Sequence, residues 1–339
     1  MPADTPHPTP PAAGQPLHTR TVAIDVYLET PDQLRAEGEI LDLRKAGVVP
    51  TGGDLQTAGF IHHMQLHVWI DLASGVIDRL EAHQPHVPFE ATATTGGESC
   101  RDVVPRLDAL VGQSIEEAFH PTLAGCFGGP LGCSHLLTLA QAMGAMLPEV
   151  LAGERRPAIA RARTSGERVA KRAIFLDGVS GEGNAMEVVV QLSDFETRPH
   201  PEVTHALERL ARQREVRAVA SVDLEAMTIT AIDAWDRDRT TSQLVELGWT
   251  DRSADVAALV GGPALRGLAA ALFKRFDGDP GASLLLAALL QFAPGLIQCF
   301  AARTEALLAQ FSAGASTGGT VRELPKELSV GGMPDSCYM

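Results

Sequence analysis

The chain has 339 residues, and its 28 Lys and Arg stand against 42 Asp and Glu, a net charge of −14. A general nucleic-acid-binding role is excluded, because it requires a basic surface that neutralises phosphates. With 45% hydrophobic and 21% charged residues the chain is folded rather than intrinsically disordered, and its length admits one large domain or two of about 150 residues.

Residues 1–17 are rich in proline and alanine without periodicity and read as a flexible arm. The opening Met1-Pro2-Ala3-Asp4 lacks the basic and apolar regions of a signal peptide, and no apolar run approaches the roughly 18 residues that cross a bilayer. A cytoplasmic protein without a membrane partner is therefore expected. Its five cysteines, an odd number, fit thiols or metal ligands better than a disulfide framework.

Beyond the arm, Thr21–Glu29, Leu34–Leu43, His62–Asp71 and Val76–His83 alternate apolar with polar residues or are β-branched, which predicts antiparallel strands of a half-buried sheet. Ala73-Ser74-Gly75 supplies a tight turn between the last two. The period then changes, and Val103–Leu110, Ile115–Ala124 and Leu136–Leu151 place apolar residues at helical spacing, bounded by Gly112, Gly125 and Gly153. A second set follows, with strands at Ala173–Val179, Ala185–Asp194, Val216–Asp223 and Thr228–Trp235. Its helices fall at Ala254–Val260, Pro263–Phe276 and Ala282–Gln310, the last bent at Pro294. Residues 312–339 form a small-residue linker and a polar tail.

The second set repeats the first. Arg20–Asp25 recurs as Arg172–Asp177, Glu39–Asp42 as Gln191–Asp194 and Trp69–Leu72 as Ser221–Leu224, all at an offset of 152 residues. Leu110–Gly112 recurs as Leu259–Gly261 and Gly132–Leu137 as Gly281–Leu286, both at an offset of 149. The common order and nearly constant spacing predict two tandem copies of one unit, 18–153 and a degenerate 154–311. Strands followed by helices give an α+β class, in which the two antiparallel-sheet-plus-helices units pair face to face about a pseudo-two-fold axis. A pseudo-dimeric monomer or a homo-oligomer would bury the apolar helices.

Residues needed by the common fold should recur, and the chemistry-bearing ones do not. At the same offsets His62, His63 and His67 face Arg214, Glu215 and Val219, while Cys133 and His135 face Ala282 and Leu284. Cys133 and His135 follow a glycine-rich approach and open a long apolar helix, where free N–H groups and the helix dipole favour a thiolate. Neighbouring strand residues point to opposite faces, so only one of His62 and His63 reaches a given pocket. Cys100 lies in a loop before the first helix, and Cys337 near the chain end is exposed unless the tail docks. Each also has a plain structural reading: packing cysteines, a capping Ser134, solvated histidines. The repeated Asp25, Asp42 and Asp71 are assigned to turns and strand ends rather than to acid–base work.

Thiolate and imidazole donors suit zinc, with iron or copper next, and not magnesium or calcium. The candidate metal ligands are His62, His63, Cys100, Cys133, His135 and Cys337, with Cys133 and His135 as the catalytic pair. The chain has no Gly-rich phosphate loop after a strand, no Gly-x-Ser-x-Gly elbow and no His-Glu-x-x-His helix.

Gly132-Cys133-Ser134-His135-Leu136 after a glycine-rich approach resembles the signature of a bacterial domain-of-unknown-function family, number twenty-eight eighty-nine. The resemblance extends over Arg20–Asp25, His62-His63-Met64, Cys100 before Leu110-Val-Gly112, and Ser336-Cys337-Tyr338. It implies a bacterial protein of small-molecule metabolism, aromatic or acyl-compound catabolism in particular. The expected function is an enzyme acting on a small organic molecule, with a metal-assisted lyase or hydrolytic step. The contrasting expectation is a non-catalytic protein in which the same residues hold a structural zinc.

Overall fold

A computed structural model describes residues 14–51, 54–91, 99–128, 131–200, 205–240, 248–276 and 278–303. β1 (Pro16–Thr30) and β2 (Gln33–Arg44) form a long hairpin, β3 (Val49–Thr51) and β4 (Asp54–Gln56) a separate ribbon, and β5 (Gly59–Asp71) and β6 (Ile77–His86) a second long hairpin. A 3-10 turn at Val104–Leu110 and helices α1 (Phe119–Phe127), α2 (Ser134–Glu154) and α3 (Pro157–Ala162) complete the first half. Strands return with β7 (Arg168–Ser180), β8 (Ala185–Thr197), β9 (Leu210–Asp223), β10 (Thr228–Thr240) and β11 (Thr250–Asp251). Helices α4 (Ser253–Val256), α5 (Leu268–Phe276), α6 (Ser283–Leu289) and α7 (Phe292–Ala302) close the described chain. The fold is α+β, strands leading and helices following in each half.

All the long strands lie in one antiparallel sheet of nine strands, ordered β11-β10-β9-β8-β7-β1-β2-β5-β6. The halves therefore meet side by side, through the β1–β7 ladder, and not face to face as the sequence suggested. The physical reason is the strand edge: β1 leaves a row of unpaired N–H and C=O groups on the side away from β2, and β7 satisfies them, which face-to-face packing would not. The strict alternation along β1 and β2 leaves one face of the sheet buried and the other half-exposed. Helices cover the buried face, with α2 on β2, β5 and β7 and α7 on β1, β7, β2 and β8. Gly38 permits this approach, since a Cβ there would lie 2.8 Å from Met143 Sδ of α2.

The sequence reading needs three further corrections. The stretches Ser134–Glu154 and Ser283–Ala302, with mean hydropathies of 1.3 and 1.9, are long and apolar enough to cross a membrane by length and composition, although none was expected. In the fold 61% and 67% of those windows are buried, so the hydropathy is that of helices lying on a sheet. The last helical stretch breaks at Leu290-Gln291, ahead of Pro294, because a proline as the third residue of α7 falls in the first turn, where its missing N–H costs no bond. Residues 16 and 17 of the expected arm start β1, whereas 1–13 and the tail 312–339, with Cys337, lie outside the described residues.

Two charge pairs are buried beneath the helices. Arg20 Nε and Nη2 donate to Asp42 Oδ1 and Oδ2 at 2.8 and 2.9 Å, and Arg172 Nε and Nη2 donate to the two oxygens of Asp194 at 2.7 Å each. Each is a bidentate fork, the geometry in which a buried guanidinium and carboxylate best offset their lost hydration.

Candidate functional site

β2, β5 and α2 bring three side chains of the first half to one point. Asp42 occupies an inward position on β2, two strands from the sheet edge, and is fully buried. His62 lies directly opposite it in the β2–β5 register, on the same buried face. His135 is the second residue of α2, whose N-terminus is set down on these strands. His62 Nδ1 and His135 Nε2 lie 3.2 and 3.5 Å from Asp42 Oδ2, and the two rings stack with centroids 3.7 Å apart. Both nitrogens are buried without the alignment that a hydrogen bond needs. Asp42, His62 and His135 thus offer one carboxylate oxygen and two imidazole nitrogens within 4.8 Å of one another.

The surroundings fix the charge state of each group. Burial pushes the Asp42 carboxyl up, but the Arg20 guanidinium and the adjoining His18 and His62 imidazoles outweigh it and hold the group well below the usual carboxylate range. Burial drives the His62 imidazole below its ordinary value, and burial followed by the nearby His62 and Arg20 drives His135 well below it. His18, whose Nε2 meets Asp42 Oδ1 at 2.9 Å, is lowered for the same first reason. At neutral pH the cluster is an ionised carboxylate among neutral imidazoles, the protonation state in which these groups bind a metal.

Behind His135 lie the thiols. Cys133 occupies the N-cap position of α2 without a capping bond from its side chain, and its Sγ is 3.8 Å from His135 Nδ1, the ring nitrogen away from Asp42; Ser134 Oγ is 3.4 Å from the same atom. A hydrogen bond from the Cys100 thiol, ahead of the opposing effect of burial, brings the Cys133 thiol below its ordinary value, helped by backbone N–H groups of the first turn of α2. Cys100 and Cys133 are both buried and in the reduced form.

Of the sequence candidates, His62, His135, Cys133 and Cys100 come together. His63 does not, since it points to the open face of the sheet, where its Nε2 meets Glu39 Oε1 at 2.7 Å. Cys337 lies outside the described residues. Asp42, His18 and Arg20 were missed. Asp42 repeats as Asp194 and so looked like a turn or strand-end residue, whereas it sits inside β2 at the centre of the cluster. His18 carried a usable signal, because the residue 152 positions on is Ala170.

The cluster opens on a cavity of about 530 Å³. Its first wall holds Arg44, Ile61, His62, Phe89, Cys100 and His135. The opposite wall comes from the second half, from the β9–β10 turn at Leu224–Met227, from Pro263–Arg266 and from α7 between Ile297 and Ala301. Met227 holds a left-handed conformation with φ of 50°, a strained state for a side chain of this size. Cys133 is not among the lining residues, so Cys100 is the thiol that meets the cavity.

Fold and cluster together describe an α+β protein with a buried two-histidine, one-carboxylate centre at the wall of an apolar cavity. Residues 18–147 match the model of a family described as protein of unknown function (DUF2889). Every member of the cluster and its thiol shell falls inside the matched span, while the opposite wall of the cavity falls outside it. No curated protein and no solved structure matches the chain.

Proposed function

We propose that the chain is an enzyme acting on a small organic molecule, with one divalent metal, zinc ahead of iron or copper, held by Asp42, His62 and His135. One observation carries this reading: two fully buried imidazole nitrogens without hydrogen-bond partners face the same carboxylate oxygen at 3.2 and 3.5 Å. Leaving such nitrogens unmatched in a dry core costs about 1–3 kcal/mol each, and a shared cation removes that cost. Three protein ligands leave a position open, as catalysis requires. Cys133 then takes an orienting role, since its sulfur lies where the Nδ1–H of a His135 bound through Nε2 would point. A metal here would polarise a carbonyl or activate water, which suits a lyase or hydrolytic step on an acyl or aromatic compound. His62 and His135 line the cavity and so can reach a molecule inside it.

The two halves are, on this reading, copies of one ancestral unit related by a pseudo-two-fold axis. The β1–β7 register supports it: Val22 pairs with Ile174, its counterpart at the offset of 152, and Arg20 and Ile24 pair with the counterparts of each other, Leu176 and Arg172. Such self-complementary pairing is what an isologous contact produces. The first copy would carry the chemistry and the second would close the cavity.

A second reading has its own observation. Cys133 Sγ, His135 and Asp42 form a thiol–imidazole–carboxylate line, 3.8 Å on one side of the ring and 3.5 Å on the other, at a helix N-terminus. Elemental analysis of the full chain, purified without an affinity tag, separates the two. About one equivalent of metal is expected, lost in His62→Ala and in His135→Ala, and kept in His63→Ala and Cys133→Ala, with circular dichroism confirming the fold of each. Metal-free wild-type protein whose Cys133 alone is rapidly alkylated would overturn the metal reading in favour of the thiol. A steep loss of melting temperature on chelation of a stoichiometric, non-exchanging metal would instead make the site a structural zinc.

A further inference from the structure

We infer that the cavity takes a small apolar molecule bearing a carboxylate, and that Arg44 holds the charged end. Arg44 is 2% exposed and lines the cavity. Its Nη2 donates to the carbonyls of Gln56 and Thr57 at 3.1 and 3.2 Å, but its Nε is buried without a partner, and among the described residues no carboxylate pairs with it. The contrast with the neighbouring cation is direct, since Arg20, buried on the adjacent strand β1 and two residues along the register from the His18–Arg44 pair, spends its fork on Asp42. A buried cation left without a counter-ion is unfavourable, and a ligand anion is what would relieve it.

The rest of the lining says which anion. Among the described residues no aspartate or glutamate lines the cavity, although the chain as a whole carries −14, and a second cation, the exposed Arg266, stands among the lining residues. Apart from the uncharged polar Gln56, Ser134 and Gln298 and the two imidazoles, the lining is mostly apolar, with Ile61, Phe89, Leu224, Met227, Ile297 and Phe300 its largest members. One buried guanidinium matches one delocalised negative charge on a planar group, whereas a phosphate dianion is better matched by more than one buried cation. About 530 Å³ accommodates an aryl or medium-chain acyl body. Arg44 follows Asp42 by two residues on the same face of β2, so a carboxylate held there places the adjoining carbons roughly 7 Å along the strand, beside His62 and His135. The residue 152 positions after Arg44 is Glu196, so no second cavity of this kind is expected in the other half.

The inference rests on the reading of this cavity as the substrate site, and not on the metal. Its test is binding of phenylacetate and octanoate to the full chain, followed by calorimetry, with phenylacetamide and octanamide as uncharged counterparts and inorganic phosphate as the bare anion. The carboxylates should bind at least about tenfold more tightly than the amides, and phosphate should not compete. Arg44→Met should erase the preference and Arg44→Lys should retain part of it, circular dichroism showing both folded. The preference should survive chelation with EDTA and the His62→Ala change. Equal binding of acids and amides, no binding of any probe, or an unchanged preference in Arg44→Met overturns the inference. Binding abolished by EDTA yet intact in Arg44→Met also overturns it, while leaving the metal reading standing, because the carboxylate would then sit on the metal.

Discussion

Two buried arginine–aspartate forks sit beneath the helices of this molecule, and their neighbours differ. Around Asp42 stand His18, His62 and His135; the corresponding positions around Asp194 hold Ala170, Arg214 and Leu284. In the second half the carboxylate is saturated by cations: Arg172 bonds it twice and donates through Nη1 to the Ala142 carbonyl, and Arg214 Nη2 reaches Asp194 Oδ2 at 3.3 Å and also pairs with Glu149. In the first half the same carboxylate meets neutral imidazoles, and Arg20 Nη1, His62 Nδ1 and His135 Nε2 are left unmatched. The Arg–Asp pair beneath the helices is thus surrounded by cations on one side, where Arg214 Nε alone is unmatched, and by uncharged imidazoles with several unmatched groups on the other. Open hydrogen-bonding capacity in a dry interior is unfavourable, and it concentrates at the cavity wall, where a bound group can use it.

The largest effect should come from breaking the saturated side. Asp194→Asn leaves Arg172 with an uncompensated buried charge, Arg214 keeping only Glu149, and should destabilise the protein by about 3–5 kcal/mol in urea unfolding, while leaving bound metal per folded chain unchanged. If the loss is below about 1 kcal/mol, the fork does not hold the helix layer and the contrast drawn above fails.

Acid should next expose the open side. His18, His62 and His135 all have lowered values in the folded chain, so the unfolded chain binds their protons first. Their contribution is therefore complete above the unfolded value of 6.5 and is lost as pH falls below it towards the folded values. For metal-free protein the slope approaches about 1.4 kcal/mol per pH unit for each histidine. His135→Leu, which copies the residue at position 284, should flatten the fall in melting temperature between pH 6.5 and 5 by about a third. An unchanged slope would mean that His135 titrates freely and is not held neutral by burial.

Much of this was legible before any coordinates. The period-2 alternation of Thr21–Glu29 and Leu34–Leu43 gave β1 and β2 to within a few residues, because one face of each is buried along its whole length. The absence of counterparts for His62, Cys133 and His135 in the later half pointed to a group that does converge. What the pattern could not carry was the pairing of β1 with β7, since hydrophobic periodicity records which face a strand buries and says nothing about which edge it shares. Asp42 was hidden for a related reason. Its recurrence as Asp194 marks a structural duty, the fork with arginine, and a residue can serve that duty through one lone pair and a site through another.

The smallest expected effect tests whether the two frames are equivalent. Arg214→His places an imidazole at the residue 152 positions after His62, whereas the residue 149 positions after His135 is Leu284, so the sequence supplies no second imidazole there. The change gives up the partly exposed pair with Glu149 and the 3.3 Å contact with Asp194, while Arg172 keeps its fork on that carboxylate, so stability should fall by about 1–3 kcal/mol, less than in Asp194→Asn, and no additional metal should bind. Adding Leu284→His supplies the second imidazole at the start of α6 and completes two histidines and a carboxylate around Asp194. The double variant should then raise the metal content of the protein towards two equivalents. Elemental analysis decides it: one equivalent in both variants, with the fold intact, would show that Arg172 and Asp194 hold their carboxylate in a geometry that Arg20 and Asp42 do not share, and the open side would owe its chemistry to backbone placement rather than to the exchange of a few side chains.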